Sequence, residues 1–154
     1  MMPPHPSRLT THVPSGTVLA FDYGEKRIGV AVGEPALGIA HPVTTIEAAG
    51  RDAQLAAVDT LVAEWRPARF VVGLPLAEDG TEHEMTRRAR RFGRQIESRC
   101  ALPVSYVDER FSSRAATERL AGRRAAKADI DRAAAQIILQ DYFDHASRLK
   151  AGAA

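Results

Sequence analysis

Apolar residues in this chain fall into short dense runs separated by stretches with helical spacing. Residues 17–24 (TVLAFDYG) form a run that ends in Asp-x-Gly, which predicts a strand buried on both faces and closed by a turn. Residues 27–33 (RIGVAVG) resume the β-branched pattern just beyond Gly24, so the two runs are expected to pair as a hairpin. A third strand is predicted at 39–46 (IAHPVTTI), on a sheet edge because Pro42 has no amide hydrogen to offer a neighbour. Over 52–65 the spacing changes. Leu55, Val58, Leu61, Val62 and Trp65 recur with the period of an amphipathic helix, which Pro67 stops.

Residues 69–74 (RFVVGL) predict another buried strand, followed by Pro75 and a turn at Asp79-Gly80. Thr81 with Glu84 three positions on is a capping-box pattern for a helix over about 82–99. A strand at 103–108 (PVSYVD) and helices at about 113–124 and 131–146 complete the chain. The order β-β-β-α-β-α-β-α-α predicts an α/β fold, a mixed five-stranded sheet with helices on both faces.

At 154 residues the chain is one domain long. Residues 1–16, with three prolines before Pro14 and no apolar segment, are expected to be a disordered tail rather than a secretory signal. The domain is placed at 17–147 and a loose tail at 148–154. No stretch reaches the ~18–20 apolar residues of a membrane span. The single cysteine, Cys100, fits a reducing compartment, so a cytoplasmic protein is expected.

Charge is unevenly spread: residues 1–85 hold 6 Lys/Arg against 11 Asp/Glu, and residues 86–132 hold 13 against 6. A basic segment beside an acidic one suits a polyanion next to a site that holds cations, although arginine-rich helices are also commonly just solvated.

Three acids stand out. Asp22 ends the most apolar strand, where open α/β sheets place their ligands, or else it simply organises the turn. Asp108 and Glu109 end the last strand, and alternation puts them on opposite faces without saying which faces Asp22. Asp131 opens the last helix on the stripe of Ala134, Ala135, Ile138 and Tyr142, which a cap alone does not require; Asp129 is the better cap. Clustered carboxylates repel unless a cation or a neutralising Arg or Lys joins them. Mg²⁺ and Mn²⁺ take such oxygen ligands, and two ions together stabilise the attacking and leaving oxygens of a phosphodiester displacement. The five histidines show no HxH or HxxxH spacing, so zinc is not expected.

Four segments, FDYGEKRIGVAV (21–32), VVGLPLAEDGTE (71–82), YVDERFSS (106–113) and DRAAAQIILQDYFD (131–144), together resemble the YqgF/RuvX family. These are pre-16S rRNA nucleases related to the Holliday-junction resolvase RuvC, and the resemblance covers about residues 17–146. It implies a ribonuclease H-like fold and a two-metal nuclease with Asp22, Glu109 and Asp131 as catalytic and metal-binding residues. Asp108 is the runner-up to Glu109. The resemblance also places Lys26, Arg27 and Arg110 near the scissile phosphate, and Gly73 and Pro75 at a strand end that leaves room for backbone.

The activity expected is hydrolysis of RNA in the maturation of pre-16S rRNA, with two Mg²⁺ or Mn²⁺ ions. Arg87, Arg88 and Arg91 on the helix at 82–99, Ser112 and Ser113, and Arg123, Arg124 and Lys127 are expected to hold nucleic acid. The absence of an aromatic cluster predicts little base stacking. A DNA-junction resolvase, which would have to be a dimer, and a non-catalytic nucleic-acid-binding scaffold are the alternatives. The protein itself is expected to be a monomer or a weak homodimer.

Overall fold

The computed structural model of the chain describes residues 16–77, 79–109 and 127–152, with backbone only at 127–128 and 146–152. The helix expected at about 113–124, together with Arg110, Ser112, Ser113, Arg123, Arg124 and the Lys127 side chain, lies outside the described residues.

Strands β1 (Val18–Asp22), β2 (Arg27–Glu34) and β3 (Ile39–Glu47) precede helix α1 (Arg51–Trp65). Strand β4 (Arg69–Leu74), helix α2 (Glu84–Cys100), strand β5 (Val104–Asp108) and helix α3 (Lys127–Gly152) follow. The five strands form one sheet in the order β3-β2-β1-β4-β5. β1 pairs antiparallel with β2 and parallel with β4, and β4 pairs parallel with β5. The Pro42 strand does lie on the edge. There β3 carries one extra residue, since Val30 faces Thr44 while Ala31 faces Pro42, leaving Val43 as a bulge.

Alternation along β1 divides the core. Leu19 and Phe21 join Leu55, Val58 and Leu61 of α1 and Phe92 and Ile96 of α2 on one face. Val18 and Ala20 join Ala135, Ile138, Leu139 and Phe143 of α3 on the other. β2 follows the same rule, with Ile28, Val30 and Val32 toward α1 and α2, and small Gly29, Ala31 and Gly33 toward α3. The small lane lets α3 lie close to the sheet. At the edge, Gln136 donates to the Ala40 carbonyl at 3.0 Å, and Gln140 accepts from the Ala40 amide at 3.0 Å.

Two boundaries differ from the sequence expectation. α2 begins at Glu84 with His83 as its N-cap, and the capping box is closed by Thr86 instead of by Thr81 and Glu84. Thr81 is already committed: its amide and hydroxyl both donate to Asp79 Oδ1, at 3.0 and 2.7 Å, closing the preceding turn. α3 begins at Lys127, so Asp131 sits one turn inside the helix rather than opening it, and Asp129 occupies the first turn beside Arg132. Among the described residues, no helix is long and apolar enough to cross a membrane.

Candidate active site

Asp22 ends β1 at the carboxyl edge of the parallel strands β1, β4 and β5, and it projects to the α3 face with Val18 and Ala20. Its antiparallel neighbour on β2 is Gly29. On the other side Phe21 pairs with Val72, so the next step of the same register brings Asp22 beside Gly73. Asp22 is therefore flanked by two residues without side chains, and each gap is filled by one of the other predicted acids.

Over Gly29 lies the Asp131 backbone: a Cβ at Gly29 would overlap the Asp131 carbonyl oxygen. Cβ atoms of directly paired residues stand about 4.5–5.5 Å apart, so α3 crosses the sheet one such spacing from Asp22. Over Gly73 lies Glu109: a Cβ there would fall 2.6 Å from Glu109 Oε2 and 2.5 Å from Ile138 Cδ1. The Glu109 amide donates to the Leu74 carbonyl at 3.0 Å, which extends the β4–β5 ladder by one step and fixes the side chain's direction.

The face of Glu109 follows from its strand. Tyr106 packs toward α2 and Val107 toward α3, so Asp108 is exposed on the α2 side and Glu109 is buried on Asp22's side. The choice that alternation alone left open thus falls to Glu109 on geometry.

Glu109 is 9% exposed, and its Oε2 is buried with no hydrogen-bond partner. Burial, the adjacent Asp22 charge and a hydrogen bond between the two carboxyls push Glu109 up to about 10. Burial raises Asp22 to about 6; the bond with Glu109 opposes the rise and the Asp131 charge adds to it. Two carboxyls forced together in this way must share a proton or take up a cation.

Asp131 is held differently. Arg27 Nε donates to its Oδ2 at 3.0 Å, the two side chains being 35% and 25% exposed. Arg27 lies on the α3 face because it is two residues before Gly29. With Asp131 turned to Arg27, no three Asp, Glu, His or Cys side chains among the described residues are arranged to hold an ion as they stand. The cradle nevertheless fits a hard cation. It offers an orphaned buried carboxylate oxygen, a carboxyl pair with raised affinity for positive charge, and a third carboxylate on a neighbouring helix bound by one exchangeable ion pair.

The predicted basic residues divide between two places. Arg27 joins the carboxylates. Lys26, Arg87, Arg88 and Arg91 instead line a cleft of about 540 Å³ between the starts of α1 and α2, on the opposite side of the sheet. There Arg87 pairs with Glu84 at 3.3 Å, and Arg88 bridges Glu84 and Glu25.

One residue that sequence reading passed over organises this edge. Gln54 of α1 is 4% exposed, and its Nε2 lies 3.0–3.1 Å from the carbonyls of Gly24, Glu25 and Ala48. It ties the β1–β2 turn, which carries Lys26, to the loop before α1. Its signal in the sequence is a glutamine on the buried stripe with Val58 and Leu61.

The sequence model of the RuvX family, described as Holliday junction resolvase, matches residues 16–145. A relative from Thiobacillus denitrificans named "Putative pre-16S rRNA nuclease" is 55% identical over 133 residues, covering 84% of this chain and 92% of its own length. Relatives of the same name from Dechloromonas aromatica (55% over 133 residues, 84% and 91% covered) and Neisseria meningitidis (48% over 137 residues, 86% and 90%) are similarly close. Among solved structures, the fold is similar to Thermus thermophilus RuvC in complex with a Holliday junction substrate, with TM-score 0.55 and 16% identity, covering 84% of this chain and 94% of that one. It is also similar to the yeast mitochondrial Holliday junction resolvase Ydc2, with TM-score 0.57 and 12% identity, covering 94% and 85%. The likeness is one of fold, and the fold is ribonuclease H-like.

Proposed function

This chain belongs to the RuvX family, and from that membership and the carboxylate cradle we propose that it is a divalent-metal-dependent nuclease. Its substrate on this reading is RNA, the pre-16S rRNA of the relatives' name, cut in the cytoplasm during ribosome maturation. The observation that carries the reading is the placement of Glu109 over Gly73 and of Asp131 over Gly29, on either side of Asp22.

Asp22, Glu109 and Asp131 would hold Mg²⁺ or Mn²⁺, two ions being the number that phosphodiester displacement favours. When bound, the metal supplies Lewis acidity at the scissile phosphate. The chain's own residues do the rest. Asp22 and Glu109 would serve as ligands in their deprotonated forms, Ile138 and the α3 alanines keep the floor of the cradle apolar, and Arg27 stands where it could leave Asp131 for a phosphate oxygen. Arg110, Ser112 and Ser113 follow Glu109 directly in sequence and are assigned to the same phosphate; Arg123, Arg124 and Lys127 are assigned to the backbone farther along.

The test is a cleavage panel of single-stranded RNA, duplex and four-way DNA junction with Mn²⁺, using wild type, Asp22→Asn, Glu109→Gln, Asp131→Asn and Asp108→Asn. The first three variants are expected to fold and to lose cleavage by at least about 100-fold, while Asp108→Asn keeps it. Wild-type turnover by folded Glu109→Gln ends this assignment. The family's description favours a resolvase as the second reading. Cleavage of the junction but not of RNA, by a protein whose light-scattering mass is that of a dimer, would establish it.

A further inference from the structure

The cleft between α1 and α2 has features that the carboxylate edge does not use. Tyr23 follows Asp22 directly in the chain, and alternation sends its side chain to the opposite face of the sheet, where it packs on Phe92 with ring centroids 5.0 Å apart and planes tilted by 32°. Tyr23 remains partly exposed and lines the cleft. The walls are basic. Arg88 occupies the two acids present, Glu25 and Glu84. Lys26 and Arg91 are exposed and have no acidic partner among the described residues, and the Arg51 guanidinium lies against the Gln95 amide, about 3.0 Å away. A cavity of about 540 Å³ with an aromatic floor and surplus cations matches a nucleotide in size and in chemistry. A second hollow of about 470 Å³ shares Arg51, Arg91 and Gln95 with it and leads on to Arg94, so positive charge continues along the groove between the helices as far as Arg99, which Asp59 pairs at 2.7 Å.

Resting on the nuclease reading above, we propose that this cleft seats one nucleotide of the substrate strand next to the scissile phosphate, its base against Tyr23 and its phosphates on Lys26, Arg51 and Arg91. Consecutive Cα atoms are about 3.8 Å apart, so the cleft begins within one nucleotide step of Asp22. To reach both places the strand must fold over the rim of the sheet from the α3 side to the α1–α2 side. A duplex, with a persistence length of about 150 base pairs, does not make that turn, whereas a single strand does. The substrate is therefore single-stranded on this flank, and the site takes it by stacking and charge, not by reading sequence.

The experiment measures binding of short fluorescent single-stranded RNA, single-stranded DNA and blunt RNA duplex by anisotropy in EDTA, so that no turnover is required. Wild type is compared with Tyr23→Leu, which keeps an apolar contact to Phe92, and with the double variant Arg51→Ala/Arg91→Ala, each checked for folding by thermal melting. Tyr23→Leu is expected to weaken single-strand binding about tenfold. The double variant should reduce the slope of log K against log salt by about 1.4 for two lost phosphate contacts. Duplex binding should be unchanged in both. Parallel losses on RNA and DNA support a site that recognises base and phosphate; a loss on RNA alone supports one that also senses the 2′-hydroxyl. The exposed arginines at 51 and 91 keep the test independent of Tyr23 should Tyr23→Leu fail to fold. Wild-type affinity and slope in the folded variants, or equal losses on duplex, overturn the cleft while leaving the nuclease reading intact. Absence of single-strand binding by the wild type likewise overturns the cleft, and the nuclease reading falls only if the Mn²⁺ cleavage panel also shows no turnover.

Discussion

The backbone of Asp131 rests on the α-carbon of Gly29, the residue paired with Asp22 across the β1–β2 hairpin. The last helix and the first hairpin are thereby locked together at the point where the acids meet. Any side chain at position 29 must push α3 away from the sheet.

Gly29→Ala is accordingly expected to cost about 1–3 kcal/mol of stability, the range for overpacking a filled interior. Gly73→Ala should cost less, because the atoms it meets, Ile138 Cδ1 and Glu109 Oε2, are side-chain ends that can shift. Urea unfolding of both variants checks the order, and a larger loss for Gly73→Ala would show that α3 yields more easily than the carboxylate does.

Metal binding should release protons. Glu109 is raised to about 10 and Asp22 to about 6, so near pH 7 the metal-free pair holds about one proton that a cation must displace. Calorimetric titration of Mn²⁺ in buffers of different ionisation enthalpy reads this release directly. In the metal-free protein the folded pair keeps a proton that an unfolded glutamate loses near pH ~4.3. Stability should therefore be greatest in mild acid and fall as pH rises above that value, with metal opposing the fall. Metal-free stability that increases from pH 5 to 8 would contradict the pairing.

Arg27→Ala should leave stability within about 1 kcal/mol of wild type, because its ion pair with Asp131 is about one-third exposed and screened. Freed of that partner and of the local positive charge, Asp131 should bind Mn²⁺ several-fold more tightly in the same titrations. Weaker metal binding would mean that Arg27 positions Asp131 for the ion instead of withholding it.

Gln54→Leu removes a donor shared by three carbonyls, at an expected cost of about 1–3 kcal/mol. The turn from Gly24 to Lys26 should loosen with it. Faster hydrogen exchange at those amides than at the β4 amides is the specific signature, whereas a uniform increase would indicate only global destabilisation.

Much of the architecture was legible from periodicity. The dense runs at 17–24, 27–33 and 69–74 became β1, β2 and β4, and Pro42 marked the edge. Facing was not legible. Whether Asp108 or Glu109 joins Asp22 depends on which side of β5 meets α3, and that is settled by tertiary packing of Tyr106 and Val107. Cap positions were missed for a similar reason: Thr81 was spent on Asp79, a local competitor that the Thr81/Glu84 spacing does not register. The alternation of small and large residues in β2 did mark the face that α3 approaches, since Gly29, Ala31 and Gly33 share it. The Tyr23–Phe92 contact joins a turn to a distant helix, and no short window of sequence displays it.

The placement of Asp131 on the final helix has a consequence for synthesis. A ribosome delivers the hairpin with Asp22 first and α3 last, and domains fold in that direction as they emerge. On the proposed assignment, a nascent chain holds an incomplete set of ligands until α3 has emerged. On that reading, no cleavage precedes the docking of α3 on the sheet.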